Sequence, residues 1–118
     1  MAEVKKESVY FQHILDAIDR IASHLGTLSL SDFMDTPVVQ DAVVRQIEIL
    51  GEAAKHVSEP TRARYPDIPW KVMAGMRDKM IHDYFDVDLS LVWETATDNI
   101  PLLKSKIEKI LEDVKGAF

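Results

Sequence analysis

Apolar residues recur along this chain at intervals of three and four, the spacing that lines one face of an α-helix. Phe11, Ile14, Leu15, Ile18, Ile21, Ala22 and Leu25 form the first such stripe, and Gly26 supplies a stop, so a helix is predicted over about residues 5–25. Thr36 followed by Pro37 makes an N-cap and first-turn pair, after which Val39, Val43, Ile47, Leu50, Ala54 and Val57 carry a second helix that ends before Pro60. The stretch 28–35 between them has room for one turn, capped by Ser31. A third helix opens at Pro69, with Asp67 or Ile68 near its cap, and bears Val72, Met73, Met76, Met80 and Tyr84 along one side. Asp86 or Asp88 then caps a fourth. There Leu89, Val92, Trp93, Ala96, Ile100, Leu103, Ile107, Ile110, Leu111 and Val114 keep register almost to Gly116, with a kink at Pro101.

No alternating strand pattern, glycine-rich phosphate loop or internal repeat competes with these stripes. The expected fold is all-α: an antiparallel up-and-down bundle of four main helices plus short helical turns, in a single domain over residues 1–118. Segment 60–69 serves as a longer, partly ordered crossover. Gly51 and Gly75 fall inside predicted helices, where each costs about 1 kcal/mol relative to Ala, so close backbone approach is their expected use, within the bundle or between subunits. The last helix is long for so small a bundle, and its final two turns point to apolar surface that only a second copy would cover.

Composition narrows the class. With 47% hydrophobic and 29% charged residues the chain is globular rather than disordered. No apolar run approaches the roughly 20 residues that span a bilayer, and the opening residues lack a signal-peptide core, so a cytoplasmic protein is expected. Cysteine is absent, which leaves His and carboxylates as the only candidate metal ligands. Glu48 and Glu52 stand at i, i+4, but no histidine follows at a useful offset, and neither a metal nor another cofactor is expected.

A net charge of −6 argues against indiscriminate binding to nucleic acid. The charge is uneven, however. Residues 45–79 hold seven basic side chains (Arg45, Lys55, Arg62, Arg64, Lys71, Arg77, Lys79) against five acidic ones (Glu48, Glu52, Glu59, Asp67, Asp78), a net of +2 that leaves −8 for the remainder. Arg45, Lys55, Arg62 and Arg64 either steer an anion or form an ordinary solvated face. His13, His24 and His56 stand apart from any motif and read as surface or helix-terminal residues. Trp70 and Trp93, beside helix starts and apolar stripes, read as packing anchors.

Within this basic third and just beyond it, Arg77, His82 and Tyr84 crowd into eight residues. Arginine carries a permanent charge and a planar fork of donors suited to phosphate oxygens, and histidine moves protons near neutrality, so the combination suits phosphodiester chemistry. Asp78, four residues before His82, could orient the imidazole or be a solvated acid. Tyr84 could equally close the apolar face of its helix. At 100° per residue Arg77 and Tyr84 lie within roughly 20° of one face, whereas His82 is about 140° from Arg77. Either the helix loosens near His82 or a second copy of the motif completes the site.

The run Arg77-Asp78-Lys79-Met80-Ile81-His82-Asp83-Tyr84 resembles the Arg-x4-His-x-Tyr motif of HEPN ribonucleases, and specifically of the HepT-like toxins. Gln46 to Lys55, Ile68-Pro69-Trp70, and Tyr84 to Asp88 with Val92-Trp93 resemble segments of that family in the same order, so the resemblance covers about residues 10–110. It implies a metal-independent endoribonuclease of a type VII-like toxin–antitoxin pair, with Arg77 and His82 catalytic and RNA rather than DNA as substrate. It also implies a homodimer with a shared cleft, and a partner, an MntA-like minimal nucleotidyltransferase, that transfers AMP to Tyr84. The alternative is a catalytically silent helical module that docks the nucleotidyltransferase and helps present its substrate.

Overall fold

The stripes of the first two long helices bury each other. The computed structural model describes residues 2–82 and 88–116, the side chains of residues 80–82 excepted. In chain order α1 (Ala2–Lys6) and α2 (Ser8–Leu25) make the first arm, α4 (Pro37–Lys55) the second and α6 (Trp70–His82) the third. A helical run from α7 (Leu89–Glu94) to α8 (Lys104–Gly116) makes the fourth, while α3 (Leu30–Met34) and α5 (Glu59–Arg64) are the short turns between arms. The result is the expected all-α bundle, with no strand among the described residues. α4 packs between α2 and α6, and α8 lies along the other side of α2. Phe11, Ile14, Ile47, Leu50, Met73, Ile100, Ile107 and Ile110 are completely buried where these faces meet. No described helix is long and apolar enough to cross a membrane.

Hydrogen bonding accounts for most of the differences from the pattern. The first helix breaks at Glu7 because that side chain turns inward, only 6% exposed, to accept hydrogen bonds from the Ser58 backbone N–H (2.7 Å) and the Thr61 hydroxyl (2.5 Å). It thereby ties the start of the chain to the first turn of α5. Ser29, not Ser31, caps α3, in a reciprocal box with Asp32. Thr36 and Pro37 do begin α4, but the Thr36 hydroxyl donates backward to the Asp32 carbonyl at 2.7 Å. At the start of α7 the Asp88 carboxylate accepts from the Ser90 and Leu91 N–H groups, while Asp86 lies outside the described residues.

Breaking Glu7's contacts leaves a buried N–H and hydroxyl without acceptors, at about 1–3 kcal/mol. Glu7→Ala is therefore expected to lower the unfolding free energy in urea by that amount, and Glu7→Gln, which keeps an acceptor oxygen, by less. Equal midpoints for Glu7→Ala and the native protein would contradict this anchoring role.

Segment 60–69 is partly ordered, as expected: α5 occupies half of it, and the Trp70 indole N–H donates to the Tyr65 carbonyl at 3.0 Å. Trp70 packs on Phe11 and Trp93 on Phe33, as anchors. Val72 departs from the predicted core stripe of the third helix. It is 59% exposed, because α6 turns Trp70 and Met73 inward and position 72 lies a full 100° from 73. In the fourth arm Pro101 cannot donate to the Thr97 carbonyl, and the helix answers by widening into π-type turns over Thr95–Asn99 and tightening into a 3-10 turn over Ile100–Leu103. The final turns of α8 are covered by this chain's own core: Ile107 and Ile110 are buried, and Leu111 and Val114 pack against it. They therefore give no ground for a dimer.

Candidate functional site

Gly51 is the point from which the site is built. A Cβ added there would sit 2.4 Å from the Cβ of Arg77 and 2.8 Å from the Met73 carbonyl oxygen, so the missing side chain lets α4 and α6 cross in direct backbone contact. This is the close approach expected of Gly51. Gly75, by contrast, has nothing within 4 Å among the described residues. The crossing brings the residue after Gly51, Glu52, against the guanidinium of Arg77: Arg77 Nε lies 2.9 Å from Glu52 Oε2. Arg77 Nη1 donates to Asp78 Oδ1 at 3.2 Å, and Lys55 Nζ contacts that same oxygen. A chain of alternating charge, Lys55 to Asp78 to Arg77 to Glu52, continues to His56, whose Nε2 is 3.3 Å from Glu52 Oε1.

These pairs are half exposed, so each contributes about 0–1 kcal/mol to stability. Their effect is geometric. Two nitrogens of Arg77, Nε and Nη1, face carboxylates from two different helices. The guanidinium is thus fixed in direction at the edge of the cleft it lines. The hydrogen bond from Lys55, with Arg77 beside it, holds the Asp78 carboxyl below its ordinary 3.8 against a smaller upward push from desolvation. A depressed carboxyl pKa adds stability above the unfolded value, and this is lost as pH falls through the lowered folded one. The expected result is an Asp78 carboxyl NMR titration with its midpoint below 3.8 that moves upward in Lys55→Ala. A midpoint unchanged by the substitution would mean Lys55 does not hold it.

Beside Arg77 opens a cleft of about 420 Å³, lined by Tyr10 and His13 of α2, by Arg45, Glu48 and Glu52 of α4, and by Arg77 itself. His56 sits at its edge as the C-cap of α4, with its ring stacked on that of Tyr10. His13 and His56, which the sequence leaves isolated, thus share one cleft with the motif arginine. Of the four cations set apart as steering candidates, only Arg45 lines the cleft. Lys55 is paired with Asp78, and Arg62 caps the end of α4 by donating to the carbonyls of Val57 and Ala54. Glu52 was legible only as half of a carboxylate pair with Glu48. The usable signal was a helix-interior glycine followed by an acid, since a glycine at a crossing places its neighbour against the facing helix. Among the described residues no three His, Asp or Glu side chains gather as metal ligands.

The structure brings Arg77 and Asp78 together. The α6 backbone stays helical as far as His82, keeping positions 77 and 82 about 140° apart along it. The His82 side chain, its relation to Asp78, and all of Tyr84 lie outside the described residues.

The family described as "Ribonuclease HepT-like" matches residues 14–110. The chain is similar to a protein of Methanocaldococcus jannaschii named as a candidate RNase, 42% identical over 107 residues, 91% of this chain and 88% of that one. A candidate RNase of Caldanaerobacter subterraneus is 38% identical over 95% of this chain and 100% of its own length. A protein of Thermococcus cleftensis named as a probable ribonuclease HepT is 42% identical over 86% of this chain and 92% of its own. No solved structure matches the chain.

Proposed function

Because this chain belongs to the ribonuclease HepT-like family, we propose that it is a metal-independent endoribonuclease and the toxin of a type VII-like toxin–antitoxin pair. In this reading His82 accepts the proton of an RNA 2′-hydroxyl or protonates the leaving 5′-oxygen, while Arg77 stabilises the charge that builds on the phosphate. The 2′-oxygen attacks phosphorus, the 5′-oxygen departs, and the product ends in a 2′,3′-cyclic phosphate. The nucleophile is already tethered beside the phosphorus, so its effective concentration is high.

The observation that carries the reading is the guanidinium of Arg77, held in direction by Glu52 and Asp78 at an open cleft. A homodimer in which the two motifs share a cleft fits a helix that does not loosen before His82. Inactivation by an MntA-like nucleotidyltransferase would add an AMP group to Tyr84, placing phosphodiester charge in competition with RNA for Arg77.

The test is cleavage of matched RNA and DNA strands in the presence of a chelator. RNA alone is expected to be cut, leaving 2′,3′-cyclic phosphate ends. Cleavage of DNA, or loss of all cleavage on chelation, would overturn the mechanism. Coexpression with the nucleotidyltransferase should add adenylyl mass to the peptide containing Tyr84, and an unmodified peptide would remove that part. The silent docking module draws on the near balance of charge around Arg77, where Lys55 and Arg77 face Glu52 and Asp78. Expression that leaves growth unaffected would favour it.

A further inference from the structure

The Arg77 cleft contains a second set of groups that phosphate chemistry does not use. The rings of Tyr10 and His56, brought together from α2 and the end of α4, lie 5.2 Å apart and within 18° of parallel. Both line the cleft, so an already ordered stack of two rings stands beside the motif arginine. Arg45 and Glu48 line it as well. They are three apart on α4, a spacing at which opposite charges commonly pair. Neither, however, makes a hydrogen bond or ion pair among the described residues. The neighbouring carboxylate, Glu52, is taken up by Arg77 and His56.

An aromatic platform flanked by a pure donor and a pure acceptor is suited to a nucleobase. Guanine is the base that offers a carboxylate two adjacent donors, N1–H and the N2 amino group, and offers a guanidinium two adjacent acceptors, O6 and N7. Adenine and cytosine give the carboxylate one amino group, and uracil one ring N–H. Resting on the ribonuclease reading above, we propose that this cleft is a guanine subsite for the nucleotide beside the scissile linkage. The base extends the Tyr10–His56 stack as a third ring, and Glu48 and Arg45 read its edges. The subsite makes the enzyme selective for guanosine next to the bond it cuts.

The test is calorimetric titration of 3′-GMP, 3′-AMP, 3′-CMP and 3′-UMP into the full chain. A bidentate base contact discriminates by about tenfold or more, so 3′-GMP is expected to bind at least that much more tightly than 3′-AMP. Glu48→Gln, which keeps the shape and removes the second acceptor, lowers the ratio of the two affinities several-fold and leaves the part that Arg45 supplies. Tyr10→Ala weakens all four nucleotides and preserves their order, and His56→Ala, at an exposed helix end, does the same if Tyr10→Ala does not fold. Equal binding of the four, no binding of any, or a ratio unchanged in Glu48→Gln overturns the subsite. RNA cleavage without base preference would do so while leaving the ribonuclease reading intact. Selective 3′-GMP binding by a protein that cuts no RNA would do the reverse.

Discussion

Arg77→Ala is expected to lower RNA cleavage by about 10²–10³-fold, the usual loss when a single donor to a developing oxyanion is removed. His82→Ala should cost about 10²–10⁴-fold, because a general acid or base disappears. The two act on one step, so the double variant is expected to fall no further than a small factor below the worse single one. Arg77→Lys should not restore the rate. A lysine ammonium is a single point of charge, and it cannot touch Glu52 and Asp78 at once while presenting a third nitrogen to the phosphate. Neither Arg77 substitution should move the unfolding midpoint much, since the Arg77 pairs are half exposed. Single-turnover cleavage of a labelled RNA, read beside urea unfolding, separates the effects. An Arg77→Ala protein that folds and cuts at the native rate would remove Arg77 from the chemistry.

Gly51→Ala is expected to destabilise the fold, although alanine gains about 1 kcal/mol over glycine in a helix interior. The new Cβ would lie 2.8 Å from the Met73 carbonyl oxygen and 2.9 Å from the Arg77 backbone nitrogen, both backbone atoms of α6 that cannot swing aside. Overpacking of this kind costs typically 1–3 kcal/mol and outweighs the propensity gain. Gly51→Val should cost more and push α6 off α4, carrying Arg77 away from Glu52 and lowering cleavage as well. Gly75→Ala is the control. With nothing within 4 Å among the described residues, it should stabilise by up to about 1 kcal/mol. Thermal unfolding in which Gly51→Ala and Gly75→Ala shift the midpoint in the same upward direction would sink the packing argument.

The helices were legible because burial repeats with the helix period. Val43, Ile47, Leu50, Ala54 and Val57 stand out in the sequence and are all buried, as are Val92, Ala96, Ile100, Leu103, Ile107 and Ile110 of the fourth arm, with Trp93 partly so. Val72 was misplaced because apolar residues on α6 are spread around the helix, and only the inward turn of Trp70 and Met73 settles which face is buried. Glu7 was invisible for another reason. Its acceptor role depends on Ser58 and Thr61, more than fifty residues away, and nothing near it in the chain marks it as buried.

The candidate site divides in the same way. Arg77 and His82 declare themselves by residue type and spacing, since chemistry that needs a fixed cation and a proton carrier restricts which side chains can serve. The partners of Arg77 do not. Glu52 lies 25 positions earlier, and it meets the guanidinium only because the bare backbone at Gly51 sets how closely and at what rotation α4 lies on α6.

By itself, then, the amino-acid sequence determined which segments are helical, which of their faces are apolar, and which short run is the candidate for phosphodiester chemistry, because each of these is a local property read over a few residues. The tertiary structure alone decided that Lys55, Asp78, Arg77, Glu52 and His56 join in one chain of charge, and that Tyr10, Arg45 and Glu48 share a cleft with it. Such meetings depend on the relative rotation and spacing of helices packed side by side. Those are set by the fit of whole faces, with Gly51 as the closest point of contact.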